Sequence, residues 1–333
     1  MPIRTLHIGL GPIGNGVVKQ CATRPGFKIV GAVDIDPAKV GKDLGEVVGL
    51  GKKLKVKVTD DIGKTIAATR PDVAVLCTSS ALSKVMPQIE EVLKKKIPIV
   101  STTEELAYPA GKNKKLAKKI DELARKAKVA VLGTGVNPGF TMDALPITLT
   151  GVCEHVETIH IDRIQDASSR RLPFQQKIGA GLTRDAFQKK VEGGTVRHVG
   201  LTESISMIAD AFGWKLDQIT DEIQPKIAPA PVESQFLKVE AGKVCGIIQD
   251  GLGYVKGKPV IALHMEAYLG APETYDRVRV EGSPRLDVKA TGGYHGDVAT
   301  HSITVNTIPK ALSAPPGLHT MRSLALPSFA GGK

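Results

Sequence analysis

The sequence predicts an α/β chain in two parts: a parallel sheet flanked by helices over the first 135 residues, then an α+β part with an antiparallel or mixed sheet. Three observations predict it. Short apolar runs alternate with amphipathic helical stretches in the first part, the rhythm of strands joined by crossover helices. Long strand-like runs follow one another with short turns in the second part, which implies antiparallel pairing. A chain of 333 residues is also long enough for two cores, at roughly 100–200 residues per domain.

The elements follow in order. Arg4–Leu10, Lys28–Asp34, Asp72–Thr78, Pro98–Thr102 and Val129–Gly133 are rich in Val and Ile and bounded by turn residues, as buried parallel strands are. Lys55–Val58 alternates polar and apolar residues and is expected at an edge. Ala81–Lys96 and Lys112–Lys128 carry apolar residues at helical spacing. Further on, Val156–Asp166 reads as a long strand, and Thr183–Val191 and Thr202–Trp214 as helices. Gln235–Glu240, Val244–Tyr254, Pro259–Tyr268 and Arg277–Glu281 read as strands, with a tight turn over 255–258. Asp297–Leu312 is helical again, and Pro315-Pro316-Gly317 ends it.

Composition narrows the function classes. The 45 Lys and Arg against 34 Asp and Glu give a net charge of +11. The densest basic stretch, 112–128, holds Asp121 and Glu122 among its lysines and no aromatic residue. That is a solvated helix face rather than a nucleic-acid surface, though it attracts small anions. Cys21, Cys77, Cys153 and Cys245 form no C-x-x-C pair, which argues against a disulfide scaffold or a zinc module, and no metal is expected. No apolar run approaches the roughly 20 residues that span a bilayer. The chain opens straight onto a strand, leaving no room for a signal peptide, so a soluble cytoplasmic protein is expected.

Gly9-Leu10-Gly11-Pro12-Ile13-Gly14 is G-x-G-x-x-G, between the first strand and a helical stretch. The glycines permit a tight turn, close approach of a pyrophosphate, and close packing of helix on strand. Asp34 closes the next strand, 20 residues past Gly14, where a carboxylate hydrogen-bonds an adenosine ribose. Together these mark residues 1–135 as a Rossmann dinucleotide-binding domain. Asp34 favours NAD, since it repels a 2′-phosphate; Lys39 and Lys42 beyond it leave NADP open. Thr78 and Ser79 end another strand, where they either touch the cofactor or cap the next helix. The strand after that ends in Ser101-Thr102-Thr103-Glu104-Glu105, with Thr102 another candidate cofactor contact. Paired carboxylates here, without a lysine, suit a cationic nitrogen: they stabilise an ammonium or iminium and take protons from an amine or water. In Gly133–Phe140, Asn137 and Pro138 form a stiff turn for a carboxamide, and Phe140 is a candidate pocket wall.

Ser101–Pro109, Gly133–Phe140 and Asp166–Gly181 occur in order with the glycine loop. With Met265–Gly282 and Val305-Asn306, they give a chain that resembles the 2,4-diaminopentanoate dehydrogenases and native amine dehydrogenases, relatives of dihydrodipicolinate reductase, along essentially its whole length. The resemblance implies NAD(P)-dependent oxidative deamination, reversible as reductive amination of a ketone with ammonia. It also implies a homodimer built through the second domain, and an essential glutamate matched to Glu104, with Glu105 as the fallback. Thr103 stands where many relatives carry Cys. Arg163, Arg170, Arg171, Gln175 and Lys177 are candidates for a substrate carboxylate, with Arg170 and Arg171 open to an interface or surface role instead, and the resemblance brings His264 and Asn306 to the pocket. The expected division is 1–135 for the cofactor, 136–312 for substrate and dimerisation, and 313–333 as a tail packing back on the first domain. Two other functions fit less well: a reductase of C=N or C=C bonds that uses no ammonia, and a non-catalytic dinucleotide sensor that binds nucleic acid.

Overall fold

The computed structural model describes residues 1–109 and 113–331, which leaves Lys112 and the last two residues of the expected tail outside the described residues. Two compact units form, residues 1–140 with 296 onward, and residues 141–295. In chain order, the first unit contains β1 (Ile3–Ile8), α1 (Pro12–Thr23), β2 (Phe27–Val33), α2 (Leu44–Val47), β3 (Val58–Thr59) and α3 (Ile62–Thr69). It continues with β4 (Val73–Leu76), α4 (Leu82–Lys94), β5 (Ile99–Ser101), α5 (Glu104–Ala107), α6 (Lys114–Ala127) and β6 (Ala130–Gly133). The central strands are buried on both faces: every residue of β4, β5 and β6 is buried.

The second unit contains α7 (Ala144–Leu149), β7 (His155–Asp166), α8 (Leu172–Lys177), α9 (Arg184–Glu192), α10 (Leu201–Phe212) and β8 (Gln218–Ile227). A two-stranded ribbon, β9 (Val232–Glu233) and β10 (Lys238–Val239), precedes β11 (Val244–Val255), β12 (Lys258–Tyr268), β13 (Tyr275–Ser283) and β14 (Leu286–Thr291). Its six-stranded sheet runs β14-β13-β7-β12-β11-β8 and is mixed: β12 and β7 are parallel, the other neighbours antiparallel. One face, carrying Ile159, Ile161, Ile261, Leu263, Ile247 and Val278, packs on Leu201, Ile205 and Ile208 of α10. No helix of this unit covers the other face, where His160, Asp162, His264, Glu266, Asp250 and Arg279 stand.

The chain then returns to the first unit with α11 (Gly296–Ser313) and β15 (Gly317–His319). The expected boundary at 312 is therefore corrected to 295. Helix–helix packing is the reason: α11 lies on α1 where Gly16 makes room for the His301 ring, and a Cβ there would sit 2.0 Å from it. Gln20 donates to Ser302 Oγ at 3.0 Å along the same seam. Strand β15 joins β6 in parallel and completes a sheet in the order β15-β6-β5-β4-β1-β2-β3, all of its pairs parallel. The order reverses at β1, so the carboxyl ends of β1, β2, β4, β5 and β6 open onto one crevice edge.

Two strand expectations change. Gln235–Glu240 supplies only the two residues of β10, whereas β8, which the sequence reading missed, is ten residues long. Pro225 breaks the pattern of β8, and it is tolerated because β8 is the edge strand and pairs only with β11. Among the described residues, no helix is long and apolar enough to cross a membrane, and no group of three His, Cys, Asp or Glu could hold a metal ion.

Candidate functional site

The glycine loop is built by sterics. Gly9 has φ +88°, and a Cβ on it would lie 2.6 Å from both the Cys77 carbonyl oxygen and the Thr78 methyl. A Cβ on Gly14 would lie 1.9 Å from the Gly9 carbonyl oxygen, so helix and loop touch there. Gly11 differs: nothing stands within 4 Å of its would-be Cβ. Gly11 is also the N-cap of α1, with a proline following and no side-chain cap, so the first amides of this 12-residue helix receive no hydrogen bond from the cap residue. That end carries partial positive charge and receives a phosphate readily.

Asp34 sits on the same edge. Its Oδ2 accepts from Leu10 N at 2.7 Å and its Oδ1 from Asp36 N at 2.9 Å, which ties β2 to the glycine loop. Burial pushes its carboxyl up, but those amides and the Lys39 ammonium outweigh burial and hold its pKa below the ordinary carboxylate range. Lys39 pairs with Asp34 at 3.2 Å and Asp36 at 3.4 Å, so its charge is already matched.

After β4, Thr78 Oγ1 donates to Gln88 Oε1 at 2.7 Å, and Ser79 Oγ accepts from Ala81 N at 3.3 Å. Both hydroxyls are engaged with α4, Ser79 just before its start and Thr78 on Gln88 within it. Beneath them the Cys77 thiol is pushed up to about 11 by burial, a hydrogen bond with Thr102 offsetting only part of this. After β5, the Ser101 hydroxyl donates to the Leu76 carbonyl and accepts from Thr103 N, which fixes the entry to α5. Glu105 Oε2 accepts from Leu82 N at 2.8 Å, at the start of α4. Glu104, half-buried, has no hydrogen bond or ion pair among the described residues. After β6, Thr134 Oγ1 donates to Met321 Sδ at 3.2 Å, and the buried Asn137 precedes Pro138 in a turn closed by Gly139 at φ +125°. Phe140, partly buried, ends the unit.

Asn306 lies elsewhere. Its Oδ1 accepts from Arg24 Nη1 at 2.7 Å and from Ala330 N at 3.0 Å. Arg24 is the C-cap of α1, so Asn306 stands a 12-residue helix, about 18 Å, away from the glycine loop. It fastens the C-terminal segment rather than facing the crevice edge.

In the second unit, Arg163 is 3% exposed and enclosed. Its Nη1 bonds Asp276 Oδ1, its Nη2 donates to the Tyr294 carbonyl at 2.8 Å, and Tyr294 N donates to Asp276 Oδ2 at 2.8 Å. Gln175 is fully buried, donating to the carbonyls of Ala167 and Arg170 and accepting from Ser234 Oγ. It holds the turn before α8 and has no group left for a ligand. His264 points from the sheet face opposite to Arg163, since it pairs with Asp162 while Met265 pairs with Arg163. Its Nδ1 meets Asp250 Oδ1 at 2.6 Å and its Nε2 meets Glu266 Oε1 at 3.3 Å. One pocket therefore cannot take both residues.

Lys177, by contrast, makes no ion pair among the described residues and acts on His198, which the sequence reading missed. Burial above all, then the cations of Lys177, Arg163, Arg197 and Arg170, push the His198 pKa down to about 3. Its Nε2 is buried without a partner, and Gln249 holds its backbone through N and O at 2.9 and 3.0 Å. No spacing in the sequence signals this gathering, because its members come from three separate segments. Two of these cations are already matched, Arg163 by Asp276 and Arg197 by Asp221.

Two family models match the chain. Residues 140–332 match the 2,4-diaminopentanoate dehydrogenase C-terminal domain, and residues 3–134 match the N-terminus of dihydrodipicolinate reductase. The chain is 35% identical to the 2,4-diaminopentanoate dehydrogenase of Acetoanaerobium sticklandii, over 98% of this chain and 94% of that protein. It is 25% identical to an amine dehydrogenase of Streptomyces virginiae, over 97% and 96% of the two chains. The solved amine dehydrogenase of Mycobacterium smegmatis superposes with a TM-score of 0.87 at 25% identity, covering 99% of this chain and 98% of that one.

Proposed function

Because the chain belongs to the 2,4-diaminopentanoate dehydrogenase family, we propose that it is an NAD(P)-dependent amine dehydrogenase with Glu104 as its acid/base. It oxidises an amine-bearing carbon and releases ammonia, and in reverse it aminates a ketone reductively. The observation that carries this reading is the free Glu104 carboxylate, at the end of a central strand on the edge that also bears the glycine loop. The uncapped start of α1 and the empty space beside Gly11 fit a dinucleotide pyrophosphate. Asp34, charged and set by two amides, fits an adenosine ribose, and its neutralised Lys39 leaves NAD preferred over NADP. Thr102 and Asn137 are the further cofactor contacts we assign.

When bound, the nicotinamide supplies the acceptor for the hydride leaving the amine-bearing carbon. Glu104 first takes a proton from the substrate ammonium, which frees the nitrogen lone pair that expels the hydride. The carbon is then an iminium cation, which the Glu104 region stabilises. Glu104 releases that proton to solvent and then takes one from the water that attacks this carbon; it passes this proton to the nitrogen, and as ammonia leaves it accepts the proton of the carbinol hydroxyl, so that ketone forms. Phe140 contributes an apolar wall. 2,4-Diaminopentanoate is first among candidate substrates, as the reaction named for the relative that is 35% identical. We also propose a cytoplasmic homodimer; the sheet face that no helix of its unit covers is the surface for a second copy.

A panel of simple amines and diamino acids with NAD+ or NADP+ tests the reading. 2,4-Diaminopentanoate is expected to yield reduced nicotinamide and ammonia one to one, faster with NAD+. Turnover of a cyclic imine with no dependence on ammonia would instead favour a dihydrodipicolinate-reductase-like reaction.

A further inference from the structure

We propose that Glu105 is a positioning residue, whose carboxylate fastens the Glu104 turn to the N-terminus of α4 and so presents Glu104 in one orientation. The proposal rests on Glu104 being the acid/base. Helix α4 starts without a cap of its own: Ala81 holds the N-cap conformation but has no polar side chain. Its first amides need partners. Glu105 Oε2 accepts from the first of them, Leu82 N, at 2.8 Å, while Glu105 N donates to the Ser80 carbonyl at 3.2 Å. One residue thus grips the 80–82 segment through both side chain and backbone, and its negative charge meets the positive end of a 13-residue helix.

The turn that carries Glu104 needs such a grip. Helix α5 is four residues long, too short to hold together by its own hydrogen bonds. Leu106 anchors it from the inside: it is fully buried, and its carbonyl lies so close to β6 that a Cβ on Gly133 would stand 2.3 Å from it. Glu105 anchors it on the α4 side. The Glu104 side chain makes no hydrogen bond or ion pair among the described residues, so the backbone beneath it does most to set its direction. Adjacent helical residues project about 100° apart, so the two glutamates cannot share one task. One is left for chemistry because the other is bound to the frame.

The test compares Glu105→Ala, Glu105→Gln and Glu104→Gln in the full chain, reading kcat, KM for amine and cofactor, and the pH profile. Glu105→Ala is expected to lose about 10- to 100-fold in kcat through misplacement of Glu104, with cofactor KM within about threefold and the pH limbs unmoved. Glu105→Gln, whose Oε1 still accepts from Leu82 N, is expected to restore most of the rate. Wild-type kcat in Glu105→Ala overturns the proposal. So does a Glu105→Gln as inactive as Glu105→Ala with a lost pH limb, since that would make Glu105 the proton carrier. Should Glu105→Ala fail to fold, Glu105→Asp, one methylene short of Leu82 N, takes its place with the same outcomes. Full turnover by Glu104→Gln would overturn the underlying acid/base reading instead, whatever the Glu105 variants do.

Discussion

Asp34 holds the glycine loop through Leu10 N. In the proposed function the same carboxylate also receives the adenosine ribose. Replacing it with Ala is expected to raise the KM for NAD+ about tenfold or more and to narrow the gap to NADP+, measured as the ratio of kcat/KM values. His7 carries a pH signature. It is 2% exposed on β1, hydrogen-bonded to Thr5 Oγ1 at 2.9 Å, and burial pushes its pKa down from 6.5 to about 4. Between those values the unfolded chain binds the proton and the folded chain does not, so stability falls as pH drops from 6.5 toward 4. Chemical unfolding of His7→Gln should lose that slope, up to about 1.4 kcal/mol per pH unit. The local signals among these residues were legible in the sequence: glycine spacing, the acid after the second strand, the paired glutamates. Arg163 and Asn306 were not, because their partners are 113 and 282 residues away.

Elements explain where the sequence reading stopped short. Strands β4 and β6 were readable because each is a short, wholly apolar run. Strand β8 was not, since it alternates weakly and carries Pro225, which only its edge position excuses. Helix α11 was readable as a helix, but its partner was hidden: nothing local says that a segment after 295 packs on the first helix of the chain. The seam is tight at Gly16. A Gly16→Ala substitution puts a methyl 2.0 Å from the His301 ring, and overpacking of this kind typically costs about 1–3 kcal/mol. Denaturant unfolding should show that loss, even though alanine favours the helix itself.

At the scale of the molecule, two units are joined by chain crossings at 140 and 295. The first holds the whole crevice edge with the glycine loop, Asp34 and Glu104; the second holds the cationic gathering around His198. A homodimer predicts a light-scattering mass near twice 35.3 kDa, and a mass of one chain would contradict it. The proposed chemistry itself stands on Glu104. The decisive measurement is steady-state amine oxidation by Glu104→Gln beside direct titration of its cofactor affinity. A loss of roughly 100-fold or more in kcat, with cofactor bound as in the wild type, is the predicted result. Turnover within a few-fold of wild type would contradict it and move the acid/base to another residue.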